Sequence, residues 1–172
     1  MAGVPLVGKT TLARHLVRAV PTEAVHAEND RLRRLVVDAM GRQQSTFDGE
    51  ENHATYEAAR HVVEQALERG LHVVHDATNL RKSDRQATYA IADAFEAPGR
   101  VAFVHAPDTV LGDRADRMGP DARQALEALG DRQARPSDRT RPHLVLDGTR
   151  SPEDNVDAIL ADDAFVPLAR PD

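Results

Sequence analysis

The chain has 172 residues, 41% hydrophobic and 29% charged, with no cysteine and a formal net charge of -6. That length suits one domain burying about 70% of its unfolded surface, and the composition is globular rather than disordered. The missing thiols exclude disulfides, thiolate zinc sites and cysteine nucleophiles and suit a reducing cytoplasm, while acidity and scarce aromatics weigh against a nonspecific nucleic-acid coat.

No apolar run approaches the roughly 18 residues of a membrane span, and the N-terminus lacks the pattern of a secretion signal. The first element is "GVPLVGKTT" at Gly3 to Thr11, with only Met1 and Ala2 before it. Its Gly-x-x-x-x-Gly-Lys-Thr spacing is that of a phosphate-binding loop. Gly3 and Gly8 let successive N–H groups turn inward, Lys9 reaches the β and γ phosphates, and the Thr10 hydroxyl ligates magnesium. Leu12, Leu16 and Val17 continue at helical spacing, so a helix starting near Gly8 adds its positive end. Gly3, Val7, Gly8, Lys9, Thr10 and Thr11 form the nucleotide-binding set. The competing reading is a glycine-bearing turn with a solvated lysine.

A short apolar run from Glu23 to Ala27 reads as a buried strand and leads into "ENDRLRRL". Asp30 and Arg33, three apart at the start of a helix, can face one cleft. The carboxylate could accept the proton of an attacking hydroxyl and the guanidinium could hold an anionic group. The bland alternative is an N-cap aspartate before a solvated basic face. Tyr56, Ala59, Val63, Ala66 and Leu67 follow at helical spacing, with Gly70 at the C-cap.

A second strand, Leu71 to His75, runs into "DATNLRKSDR". Asp76 sits at a strand end, where open α/β sheets bind ligands, and could hold magnesium through water or orient phosphates. Thr78 and Asn79 add small hydrogen-bonding groups; the alternative is a turn that only caps the next helix. That helix carries Ala87, Ile91, Ala94 and Phe95, and a third strand spans Arg100 to His105. Arg114 and Arg117 then lie on a helix entering an arginine-rich region, Gly119 to Pro142. Either arginine could swing onto a transferring phosphoryl group, or both could form a solvated network with Asp113 and Asp116. The region holds Arg123, Arg132, Arg135, Arg139 and Arg141 around one short helix, Asp121 to Asp131, and suits a mobile lid. His143 to Leu146 is the last strand, and "SPED" at Ser151 to Asp154 opens the last helix. Strands alternating with helices imply a parallel sheet covered on both faces.

The order of these motifs resembles the P-loop kinase family that includes the phage 5′-polynucleotide kinases, zeta-toxin-like enzymes and bacterial AAA-type ATP-binding kinases. The resemblance spans about residues 3 to 142, and "DATNLRKSDR" is its most specific element. It implies an α/β P-loop NTPase fold of adenylate-kinase type, a three-layer sandwich with a parallel sheet, as one domain over 1–172 with a lid at about 119–142. It also implies that Lys9 and Thr10 bind ATP and magnesium and that Asp30 is the general base. By the same resemblance Arg33 touches the acceptor, Asp76 is functional, and Arg117, or else Arg114, contacts the donor phosphates. Family members usually space the two lid arginines four apart; here they are three apart, which leaves the choice between them open.

In such kinases the strand before the loop lies at the centre of the sheet. Two residues cannot replace it, so the second and third strands would face each other across a gap with unpaired backbone groups. Met1 and Ala2 would then end a longer strand, which an in-frame upstream segment of about five to eight apolar residues would establish.

The expected function is transfer of the γ-phosphoryl group of ATP to a hydroxyl acceptor, with magnesium. The acceptor is a small molecule, a nucleoside or a polynucleotide 5′-hydroxyl, with nucleic acid not favoured by the net charge. The alternatives are a nucleotide-binding ATPase or toxin-like regulator without such an acceptor, or an inactive fragment. No residue pattern speaks to the oligomeric state.

Overall fold

Four short parallel strands alternate with seven helices in the computed structural model, which describes residues 1–20, 22–129 and 143–162. The phosphate-loop sequence opens onto α1 (Lys9–Ala19). β1 (Ala24–Glu28), α2 (Asn29–Ala39), α3 (Gly49–Glu68), β2 (His72–Asp76) and α4 (Lys82–Ala94) follow. The remaining elements are β3 (Val101–His105), α5 (Asp108–Met118), α6 (Pro120–Leu129), β4 (His143–Asp147) and α7 (Pro152–Leu160). Each strand lies within a residue or so of its sequence expectation. The expected caps are also found: Gly70 takes φ +69 just past α3, and the Ser151 hydroxyl accepts from Asp154 N at 3.1 Å before Pro152 begins α7.

β1 pairs with β2, and β3 with β4, each pair parallel. Between β2 and β3 stand Met1 and Ala2. The Met1 amine donates to His75 O at 2.8 Å; Ala2 N donates to Ala102 O and accepts through its own carbonyl from Val104 N, both at 2.8 Å. The expected gap between these strands is therefore bridged at one level only, by Ala2 opposite Phe103. Where these groups meet, their hydrogen bonds are satisfied.

α1 and α7 cover one face and α3 and α4 the other, making three layers. β3 is buried from Val101 to Val104, and its residues alternate between the two faces. Val104 and Ala102 join Val4, Val7, Leu12 and Leu146 in the main core under α1 and α7, whereas Phe103 and Val101 pack with Ala2 and Tyr89 on the opposite side. The phosphate loop is thus a wall of the main core. Of the expected lid, α6 is described; Arg132, Arg135, Arg139 and Arg141 fall outside the described residues, as does the tail from Asp163.

Candidate active site at the carboxyl edge of the sheet

The loop from Gly3 to Gly8 is held in place by its neighbours. Gly3 has φ +146, and its N–H donates to Thr78 O at 3.0 Å; a methyl group there would lie 2.5 Å from Val104 O. Only glycine fits such a position. Gly8, at φ +101, ends the loop as the N-cap of α1 without any side-chain cap. Among the described residues every other helix has an acid in its first turn, but α1 has none. Its positive end is therefore left for an anion.

Lys9 is buried, and its Nζ donates to Val4 O at 2.8 Å across the loop. Burial lowers its pKa, while Asp76 and then Asp30 push the other way. Asp76, 3% exposed, ends β2 beneath the loop. Burial would raise its carboxyl, but hydrogen bonds from His26 and Thr10, together with the Lys9 charge, outweigh burial and leave it lowered. Thr10 and Asp76 thus present two hard oxygen donors side by side, the donor type magnesium takes. Among the described residues no group of three or more His, Asp or Glu is arranged to enclose a metal by itself. An ion here would draw its other ligands from phosphate and water, as magnesium commonly does.

At the start of α2 the two predicted residues separate. Asp30 is exposed and has no hydrogen-bond partner among the described residues, yet lies close enough to Lys9 to influence its proton affinity. Arg33 is already committed. Its Nη1 donates to Glu51 Oε1 at 2.7 Å, its guanidinium lies 4.7 Å from the Phe47 ring centroid, and its Nε is buried without a partner. The expected free guanidinium is thus half of an ion pair with a fully buried carboxylate, because α3 carries Glu51 against α2.

The two candidate arginines on α5 also differ. Arg114 donates to Leu6 O and to Gly148 O, each at 2.8 Å, joining the loop to the turn after β4. Arg117, one turn on, is exposed and bonds back to Asp113 O at 3.1 Å. The geometry makes Arg114 a tie for the loop and leaves Arg117 exposed, bonded only within its own helix among the described residues. Val7 faces the core and Thr11 is exposed, so these two can offer only their backbone N–H or, for Thr11, an outward hydroxyl.

Several participants were not singled out from sequence. His26 Nε2 lies 3.3 Å from Asp76 Oδ2, and buried Glu28 is held by Arg14 at 3.2 Å and Arg31 at 3.0 Å. His-x-Glu on a strand puts both side chains on one face, which is a readable signal. Asn79, which the sequence did single out, takes φ +45 and donates to Met1 O at 2.9 Å; Arg85, which it did not, donates through Nη1 to Asn79 O and Leu80 O. These bonds explain why the "DATNLRKSDR" loop packs so tightly beside Gly3. Glu51 had no sequence signal, since an acid in a first helical turn usually means only a capped helix.

A family model described as an AAA domain (AAA_33) matches residues 1–141. The chain belongs to this AAA domain family. Among solved structures it is similar to a candidate kinase of Chloroflexus aurantiacus, at TM-score 0.70 and 19% identity, with 92% of this chain and 91% of that one covered. It is also similar to Kti12 of Chaetomium thermophilum, solved with ADP-AlF3, at TM-score 0.68 and 24% identity, with 95% and 96% covered. A third similar structure is the APS kinase CysC of Mycobacterium tuberculosis, solved with AMPPNP and APS, at TM-score 0.65 and 17% identity, with 92% of each chain covered. At these identities the likeness establishes the fold alone, a parallel α/β P-loop NTPase arrangement. No curated protein matches the chain. No described helix is long and apolar enough to cross a membrane.

Proposed function

We propose that this AAA domain is a cytoplasmic P-loop kinase that moves the γ-phosphoryl group of ATP to a hydroxyl acceptor. The observation that carries the reading is Asp30: an exposed carboxylate at the carboxyl edge of the sheet, without a hydrogen-bond partner among the described residues and near enough to bias the proton affinity of Lys9, in a phosphate loop whose helix has no acid at its positive end. Phosphate oxygens would take the N–H groups of Lys9, Thr10 and Thr11, and Lys9 would exchange Val4 O for the β and γ phosphates. Thr10 and Asp76 would hold magnesium, which when bound neutralises phosphate charge. The nucleoside would lie in the groove of about 350 Å³ along His105, Leu146, Asp147 and Thr149, beside the turn that Arg114 ties to the loop.

Asp30 accepts the proton of the acceptor hydroxyl as its oxygen bonds to the γ phosphorus; the bond from that phosphorus to the β-γ bridging oxygen breaks, and ADP leaves. Arg33, fixed by Glu51, borders the acceptor side, and Arg117 is the arginine free to swing onto the transferring group. The whole chain acts as one kinase domain whose lid begins at α6. The acceptor is a small molecule, a nucleoside or, as in polynucleotide kinases, a 5′-hydroxyl.

The test is transfer from γ-labelled ATP to a panel of hydroxyl acceptors, including 5′-hydroxyl oligonucleotides. Asp30→Asn should lose about 10²- to 10⁴-fold in transfer rate, the usual contribution of a positioned base, with ADP affinity retained. Unchanged transfer would remove Asp30 from the mechanism. A second reading, a nucleotide-binding regulator, is favoured by one observation: Arg33, Arg114 and Arg117 each already donate to a carboxylate or a backbone carbonyl. It predicts ADP binding with no acceptor phosphorylated.

A further inference from the structure

His26 lies outside every role assigned above, although it touches the residue beneath the phosphate loop. It projects from β1 toward the α1 side of the sheet and is 13% exposed. Register places Glu28 directly opposite Asp76 on the neighbouring strand, so the imidazole sits between two buried carboxylates. Its Nε2 is 3.3 Å from Asp76 Oδ2 and its Nδ1 is 3.9 Å from Glu28 Oε2. An ionised carboxylate only accepts, so Nε2 carries the proton in this contact. Glu28 is anchored in turn by Arg14 and Arg31.

A lone carboxylate at a strand end can turn about its last torsion with little resistance. Asp76 is restrained from two sides, by His26 and by the Thr10 hydroxyl. We propose that His26 is a positioning residue for the divalent cation: it holds Asp76 so that the carboxylate and the Thr10 hydroxyl face a hydrated ion together. This rests on the kinase reading of the loop. His26 of β1 and Thr10 of α1 both bond Asp76, so β1 and α1 orient a group belonging to β2. Partners of this kind behind a metal ligand commonly matter as much as tenfold to a hundredfold in metal affinity.

The experiment measures ADP affinity calorimetrically, with magnesium and with a chelator, for the unmutated chain, His26→Leu and His26→Gln. Manganese binding to the ADP complex, followed by its paramagnetic resonance, provides a readout independent of turnover. The unmutated chain should bind ADP more tightly with magnesium. In His26→Leu that gain should shrink by about tenfold to a hundredfold, with chelator affinity within about twofold. His26→Gln, whose amide N–H can reach Asp76 Oδ2, should recover most of the gain. If His26→Leu does not fold, His26→Asn replaces it, since its amide ends near the Nδ1 position and falls short of Asp76. Equal losses with and without magnesium, an unchanged magnesium gain, or failure of His26→Gln to recover it would each overturn the proposal. ADP binding by the unmutated chain without metal preference would overturn this inference alone. Absence of ADP binding altogether would overturn the kinase reading as well.

Discussion

Glu51→Ala is the perturbation whose cost the structure defines best. The carboxylate is fully buried and accepts from Arg33 Nη1 at 2.7 Å, from Thr46 N at 2.8 Å and from the Ser45 hydroxyl. Thr46 is exposed, so its N–H finds water once the acid is gone. Arg33 is 12% exposed and does not. Leaving a buried charge unpaired costs about 3–5 kcal/mol, a large share of the roughly 5–15 kcal/mol that holds a domain together. For a chain of this size that is a fall in melting temperature of roughly 6–20 °C. Urea unfolding of Glu51→Ala, Arg33→Met and the double variant Arg33→Met with Glu51→Met gives the test. Each single change should destabilise strongly, and the double should return to within about 1 kcal/mol of the parent, because removing both charges leaves none to desolvate. A loss below about 1 kcal/mol in Glu51→Ala, or additive losses in the double, would refute the buried-pair account.

Acid should destabilise the chain in two steps. Burial lowers the His75 pKa from 6.5 to about 4, so the stability tied to its neutral form is present above pH 6.5 and drains away as pH falls toward 4. Burial would raise the Glu51 carboxyl, yet bonds from Ser45, Arg33 and Thr46 bring it from 4.5 to about 2, so its contribution is lost between those values. Urea midpoints measured across pH should flatten in the upper window in a folded His75→Gln variant. Arg114→Met removes both charged hydrogen bonds that tie Leu6 O to Gly148 O, worth about 1.5–3 kcal/mol each, and should weaken ADP binding at least tenfold by calorimetry. Arg117→Ala should leave ADP affinity unchanged and lower any transfer rate. Gly148→Ala would place a methyl group 2.3 Å from Val7 O, so it should displace the loop and weaken ADP binding too; a parental dissociation constant would show that the turn does not brace the loop.

Much of the scaffold was legible because its signals are local. The strand runs, the Gly70 and Ser151 caps and the spacing from Gly3 to Thr10 depend on residues a few positions apart, whose geometry is set by backbone sterics and helix-end hydrogen bonding. Asp76 was legible as well, because the end of a parallel strand is a place where a carboxylate has reason to sit. Arg33 was half legible. Its position followed from the start of α2, but its partner belongs to α3, 18 residues further along.

The sequence alone determined that a phosphate loop opens the chain, that strands and helices alternate behind it, and that Asp30 and Asp76 stand at strand-to-helix junctions. Tertiary structure decided which charges are free. Arg33 was taken up by Glu51, Arg114 by two carbonyls and Glu28 by Arg14 and Arg31, whereas Asp30 was left exposed, without a hydrogen-bond partner among the described residues. It also placed Met1 and Ala2 against both β2 and β3 and set His26 beside Asp76. The reason is range: loop and cap geometry is written within one turn of chain, but whether a charge is spent or available depends on which distant element packs against it.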